Sequence, residues 1–215
     1  MDWNPTTHYK EVAVAERYDN ERFRSLAGRA FNALERSAVR RAFSSTARSS
    51  LIVDVPCGTG RLAQALLDED FHVVGVDISP AMLHVAQRKL ERFGNRFETV
   101  VADVHELAQR ERAIYDAALC ARVLMHFPLD RQIGFLKSVA LLTRGTVVFS
   151  QSLSTPYQRA RRRLKRTLGN QPPATYPITE SDLSKLLAGA GLREVRRVRV
   201  ASLVSEGMFV VAEHL

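Results

Sequence analysis

At 215 residues and 46% hydrophobic content, the chain has enough apolar material for one substantial core, and its 25% charged residues leave a net charge of +8. Two cysteines, Cys57 and Cys120, are too few for a disulfide framework, and no apolar run approaches the roughly 20 residues that span a bilayer. The polar N-terminus has no secretory pattern, so a cytoplasmic protein without disulfides is expected.

In chain order, residues 1–49 read as helical, with Val12, Val14, Ala15 and Tyr18, then Leu26, Ala30, Phe31, Leu34 and Val39 at helical spacing. Residues 50–215 then alternate strand and helix. Strands are expected near 50–55, 73–77, 97–102, 115–121 and 145–150, and helices near 61–68, 80–92 and 129–142. Ser79-Pro80 is a helix start, because a serine side chain caps free backbone N–H groups and proline fits the first turn. This alternation predicts an α/β fold with a parallel sheet covered on both faces. The end of the chain departs from it: Thr179 to Ala190 reads as a helix, followed by strands at Arg193 to Val200 and Gly207 to Glu213.

The most informative stretch is Leu51 to Leu62, LIVDVPCGTGRL. Leu51, Ile52 and Val53 have the continuous hydrophobicity, β-branched at Ile52 and Val53, of a strand buried on both faces, and Asp54 closes it. Gly58 and Gly60 then let the backbone turn and approach a ligand without Cβ interference. A second apolar strand ends in Asp77, about twenty residues on, where an acid can accept hydrogen bonds from ribose hydroxyls.

These residues resemble motif I and its ribose-binding partner in class I S-adenosylmethionine-dependent methyltransferases, and the resemblance runs from about Ser50 to Ala212. It implies a Rossmann-like doubly wound sheet of seven strands with the last antiparallel, and an N-terminal helical lid over residues 1–49 in which Tyr9, Tyr18 and Phe23 supply aromatic walls or staple the helices to the sheet. It also implies that S-adenosylmethionine is the cofactor. Asp54, Gly58 and Gly60 would hold its methionine end, Asp77 its ribose, and Asp103, with Val104 beside the ring, its adenine. Pro56, Cys57, Arg61, Ile78, Met82 and Cys120 complete the expected cofactor-binding set. Pro56 departs from the family pattern, which commonly has glycine there.

Tyr115 to Phe127, YDAALCARVLMHF, resembles the fourth-strand motif that faces the methyl acceptor, in the form found in small-molecule and quinone methyltransferases. His126 is the candidate general base for an acceptor hydroxyl, since imidazole titrates near neutrality; the alternative is a packing histidine. Arg122 is a candidate to orient an acidic acceptor through a forked contact, or else pairs with a nearby acid. No metal site is expected, because the six histidines are scattered and no cysteine cluster joins them. A Gly-x-Ser-x-Gly elbow and a Walker lysine are absent, and Cys57 reads as a loop residue against the cofactor rather than a nucleophile.

The segment 151–178 reads as an insertion carrying a basic helix, with Arg159, Arg161, Arg162, Arg163, Lys165 and Arg166 close together. Such a block is either a solvated face or a contact for an anionic partner. Leu164 and Leu168 lie four apart, which would permit weak attachment to an anionic membrane surface. The expected reaction is methyl transfer, at oxygen, to a small-molecule or lipid-like acceptor. The alternatives are an RNA methyltransferase, which the positive charge favours but for which no RNA-binding domain is seen, and an inactive cofactor-binding module.

Overall fold

The computed structural model describes residues 24–154, 175–201 and 207–215. Five parallel strands come first: β1 (Leu51–Asp54), β2 (His72–Asp77), β3 (Phe97–Val101), β4 (Tyr115–Cys120) and β5 (Thr143–Ser152). β6 (Leu192–Arg199) and β7 (Gly207–His214) follow. The order across the sheet is β3-β2-β1-β4-β5-β7-β6, and β7 runs antiparallel to both its neighbours. The seven-stranded sheet with its antiparallel β7 is the expected one.

Residue alternation along the strands feeds two separate cores. Val53, Val74, Val76, Ala118 and Cys120 face a layer made by α4 (Val104–Arg110), α5 (Leu129–Leu142) and α6 (Glu180–Ala190). Ile52, Val73, Ala117, Leu119 and Phe209 face the other layer, made by α1 (Leu26–Ala42), α2 (Ala63–Leu67) and α3 (Pro80–Leu90). The helix starts follow capping chemistry: Ser79 Oγ accepts from Met82 N at 3.3 Å, and Thr179 and Asp182 form a reciprocal capping box.

The helical spacing at the end of the first fifty residues corresponds to α1, which Ser25 caps. Its buried positions Glu35, Ala38, Val39 and Ala42 recur at helical spacing and lie on the sheet layer, so this helix is a component of the core. Its C-terminal carbonyls, Arg41 O and Ala42 O, accept from Arg196 Nη2 on β6 at 2.9 and 2.8 Å. Tyr9, Tyr18, Phe23 and the basic stretch 159–166 lie outside the described residues.

Helix α4 was not expected. It has seven residues with three buried apolar positions, too short for periodicity to announce, and its cap is Asp103, read from sequence only as a ligand. Both ends of the segment 155–174 are fixed: Leu153 bridges Ile178, Ser154 N donates to Ile178 O at 2.8 Å, and Tyr176 N donates to Met125 O at 2.8 Å. Buried Gln132 reinforces this junction by donating to Phe127 O and Tyr176 O at 2.8 and 3.3 Å and accepting from Gln151 Nε2 at 2.8 Å. The described residues on either side of 155–174 are therefore held together, with Tyr176 bonded to the loop that carries His126. Among the described residues no helix is long and apolar enough to cross a membrane, and no group of metal-ligating side chains is assembled.

Candidate active site

A cavity of about 300 Å³ lies beyond the carboxyl ends of β1 to β4, where the strand order reverses between β1 and β4. Ligands enter open α/β sheets at such a point, because the loops on either side diverge. Of the residues singled out from sequence, Asp54, Pro56, Cys57, Gly58, Arg61, Asp77, Ile78, Met82, Asp103, Val104, Arg122 and His126 line it.

Gly60 and Cys120 do not line the cavity. A Cβ on Gly60 would meet Leu90 Cδ1 at 2.7 Å and Ala86 Cβ at 3.1 Å, so this glycine is required for the approach of α3. Cys120 is fully buried within the strand and points into the core on the α4–α6 side, while the next residue, Ala121, reaches the cavity. The surroundings of both are set by packing partners distant in sequence.

The glycine turn is built by backbone hydrogen bonds. Gly60 N donates to Cys57 O at 3.0 Å, and Cys57 N donates to Val76 O at 2.9 Å. Gly58 has φ +54°, a left-handed conformation that favours glycine, and its missing Cβ would point into open space. Asp77 ties this turn to the start of α3: Oδ2 accepts from Gly58 N and Oδ1 from Ser79 N, each at 2.9 Å. Burial raises its carboxyl above the usual range, and those N–H groups oppose the rise. Each oxygen keeps a lone pair for a further donor.

Asp54 is 1% exposed, and its Oδ2 has no hydrogen-bond partner among the described residues. Burial pushes its carboxyl up to about 8, against the opposing charge of Arg61. A sealed acceptor atom at a cavity wall is satisfied when a ligand brings a cationic donor. The ammonium of a methionine-like group is such a donor, so Asp54 fits the methionine end of S-adenosylmethionine. At the other end, Asp103 caps α4 through His105 N at 2.7 Å and lines the cavity with Val104 and Ile78. Cys57 Sγ fills the space opened by Gly75, 2.8 Å from where a Cβ would stand there, and burial raises its thiol far from the thiolate form, which disqualifies it as a nucleophile.

The loop after β4 forms a further wall of the cavity. His126 sits in a 3-10 turn, Leu124–His126, whose N–H groups close on Val123 and Leu124 carbonyls at 3.0 Å. Arg122 adopts φ +61° and its N–H donates to Ser150 Oγ at 2.6 Å; its guanidinium meets Glu35 of α1 rather than a surface acid. Sequence reasoning missed Glu35, His105 and Phe135. Phe135 stacks on Phe127 at 6.0 Å and meets the His105 ring edge-on at 5.9 Å, while His105 Nδ1 pairs with Ser138 Oγ at 2.8 Å. These residues arrive on α1, α4 and α5, and no local spacing marks them.

A model of a methyltransferase domain matches residues 52–145, the stretch that runs from within β1 past the end of β4 and contains the whole cavity lining. The ubiquinone biosynthesis O-methyltransferase of Nitrosomonas europaea is 30% identical over 151 residues, 66% of this chain and 63% of that protein. The magnesium-protoporphyrin O-methyltransferase of Synechocystis is 26% identical over 68% of this chain and 64% of its own length. The chain spans between 41% and 64% of the length of these and similar curated relatives. Among solved structures, magnesium protoporphyrin IX methyltransferase from Synechocystis with bound SAH superposes with a TM-score of 0.75 at 21% identity, covering 97% of this chain and 96% of that one. The Burkholderia thailandensis 1,6-didemethyltoxoflavin-N1-methyltransferase, with S-adenosylhomocysteine bound, gives 0.68 at 20% identity over 100% and 92%. Sheet order, the Asp54 to Gly60 turn and the matched methyltransferase domain coincide on the same residues, and over that stretch the chain is similar to class I S-adenosylmethionine-dependent methyltransferases.

Proposed function

We propose that this protein transfers a methyl group from S-adenosylmethionine to an oxygen of a small-molecule acceptor. The observation that carries this reading is the buried Oδ2 of Asp54, without a hydrogen-bond partner among the described residues, beside the Gly58 turn and on the same cavity as Asp77, Asp103 and His126. The cofactor, when bound, supplies a methyl group on a sulfonium, which makes the group transferable by in-line displacement. The chain's own work is to orient and to exclude water. Asp54 receives the ammonium, Asp77 the ribose hydroxyls and Asp103 the adenine amino group, with Val104, Ile78 and Met82 as apolar walls. Pro56, Cys57 and Gly58 shape the floor, and His126 takes the proton from the acceptor hydroxyl. The relatives named for ubiquinone and protoporphyrin methylation support a small organic acceptor.

In this reading residues 1–49 contribute a helical cover and residues 50–215 the catalytic core, with 151–178 as a basic insertion at the acceptor rim. The protein acts in the cytoplasm, a compartment that suits its free thiols Cys57 and Cys120, with weak contact to anionic membranes through 159–166. Intact-mass analysis of a metabolite extract incubated with enzyme and cofactor should show gains of one methyl group matched by release of S-adenosylhomocysteine. Cofactor binding with no such gain in any extract would refute the enzymatic reading. For the insertion, neutralising Arg161, Arg162 and Lys165 together should abolish co-sedimentation with anionic liposomes; equal pelleting with neutral and anionic vesicles would refute the membrane contact.

A further inference from the structure

Two guanidinium groups on the cavity share one carboxylate. Glu35, 3% exposed on α1, accepts from Arg61 Nη2 through Oε2 and from Arg122 Nη1 through Oε1, the latter at 3.0 Å. One turn earlier, Asn32 Oδ1 accepts from Arg61 Nη1 at 2.7 Å. Arg61 is thus enclosed, with 10% of its side chain exposed, and both its terminal nitrogens are engaged.

Arg122 differs. Its side chain is 27% exposed and lines the cavity, and its only acidic partner among the described residues is the carboxylate it shares with Arg61. Its position is fixed from three sides: the backbone by Ser150, the guanidinium by Glu35, and one face by the Phe31 ring, 6.0 Å away. A guanidinium has five N–H donors. One serves Glu35, and Nε is sealed from solvent without a partner among the described residues. The donors left are on the terminal nitrogens.

We propose that Arg122, oriented by Glu35 and backed by Arg61, is a carboxylate-recognition subsite of this cavity. The carboxylate is either that of the cofactor's amino-acid end or an acid carried by the methyl acceptor. The proposal deepens the methyltransferase reading above and rests on it. A planar carboxylate matches the two terminal nitrogens of one guanidinium edge, and Arg61, engaged on Asn32 and Glu35, leaves that contact to Arg122. Glu35 is a positioning residue in this arrangement, since it sets the guanidinium rather than touching the ligand.

Calorimetry on wild type, Arg122→Gln and Arg122→Lys separates the sources. Glutamine and lysine bear the same left-handed backbone strain as arginine, so the variants fold comparably. The first arm compares S-adenosylhomocysteine with 5′-methylthioadenosine, which has the same nucleoside and no amino acid. The second, with S-adenosylhomocysteine saturating, compares 4-hydroxybenzoate with 4-hydroxybenzamide, aromatic probes suited to the Phe127–Phe135 wall. If the carboxylate is the cofactor's, Arg122→Gln weakens S-adenosylhomocysteine at least tenfold, Arg122→Lys less, and methylthioadenosine is unaffected. If it is the acceptor's, S-adenosylhomocysteine is unaffected, while wild type prefers the acid to the amide at least tenfold and Arg122→Gln erases the preference. Unchanged S-adenosylhomocysteine affinity without any acid preference overturns the subsite, as does equal weakening of both nucleosides. Failure of wild type to bind either nucleoside would instead overturn the methyltransferase reading itself.

Discussion

Asp54→Asn should stabilise the ligand-free protein while impairing cofactor binding, and both effects should follow pH. Burial holds the Asp54 carboxyl at about 8 in the fold against an ordinary value of 3.8. The native state therefore keeps a proton that the unfolded chain releases between those two values, so native stability falls as pH rises through the window. At about 1.4 kcal/mol per pH unit, the full shift amounts to on the order of 5 kcal/mol above pH 8, and the part between pH 5 and pH 7 to roughly 3 kcal/mol. Asparagine has no proton to lose. For a chain of this size, the melting temperature of Asp54→Asn should gain roughly 6–10 °C on wild type between pH 5 and pH 7. Binding should show the opposite preference, because a ligand ammonium needs the ionised carboxylate. S-adenosylhomocysteine affinity should rise on the order of fiftyfold from pH 6 to pH 8 in wild type, and the ratio to the variant isolates Asp54 from titration of the ligand. Parallel melting curves for the two proteins across pH 5–8 would refute the assignment of a buried, proton-holding Asp54.

Asp77→Ala should weaken S-adenosylhomocysteine by about 1–3 kcal/mol, since ribose hydroxyls lose their acceptor and Gly58 N loses its anchor; unchanged calorimetric affinity would remove Asp77 from the ribose site. His126→Ala should lower turnover while leaving cofactor affinity within about threefold, and should abolish the rise of rate across neutral pH that a general base imposes; an unaltered pH–rate profile would return it to a packing role. Gly60→Ala combines a left-handed φ of +70° with a 2.7 Å clash against Leu90, whereas Gly58→Ala meets only the φ penalty. Urea unfolding should show a loss of about 2–4 kcal/mol for the first and about 1 kcal/mol for the second; equal losses would contradict the packing role of Gly60.

What could be read from sequence was what is local in sequence. The strand before Asp54, the glycine turn and the acid ending β2 are adjacent residues whose types dictate a backbone path, and the structure places them as that path requires. The capped start of α3 at Ser79-Pro80 is legible for the same reason. The surroundings of other residues depend on what lies across the fold. Gly60 looked like a ligand glycine because Ala86 and Leu90 approach it only after α3 docks. Cys120 looked like a cavity residue because the pattern does not show at which position β4 stops facing its helices and begins to line the crevice; Ala121 is that position. His105 and Phe135 are brought together by packing of α4 on α5, which leaves no spacing to detect.

Glu35 shows most directly how a residue outside the motifs can belong to the site. In sequence it is one acid in a helix rich in arginines, and a solvated face is the natural reading. In the fold, Val39 and Phe43 anchor the end of α1 in the core, Arg36 and Arg40 pair with Asp68 after α2, and Arg196 holds the terminal carbonyls. These contacts carry Glu35 inward until it meets Arg61 from the glycine turn and Arg122 from the loop after β4. A buried carboxylate between two guanidinium groups is strongly destabilising to break from one side, because the remaining charges stay desolvated without a partner. Docking of α1 therefore also joins the two cavity walls: the helix that precedes the nucleotide fold supplies the carboxylate that Arg61 and Arg122 share.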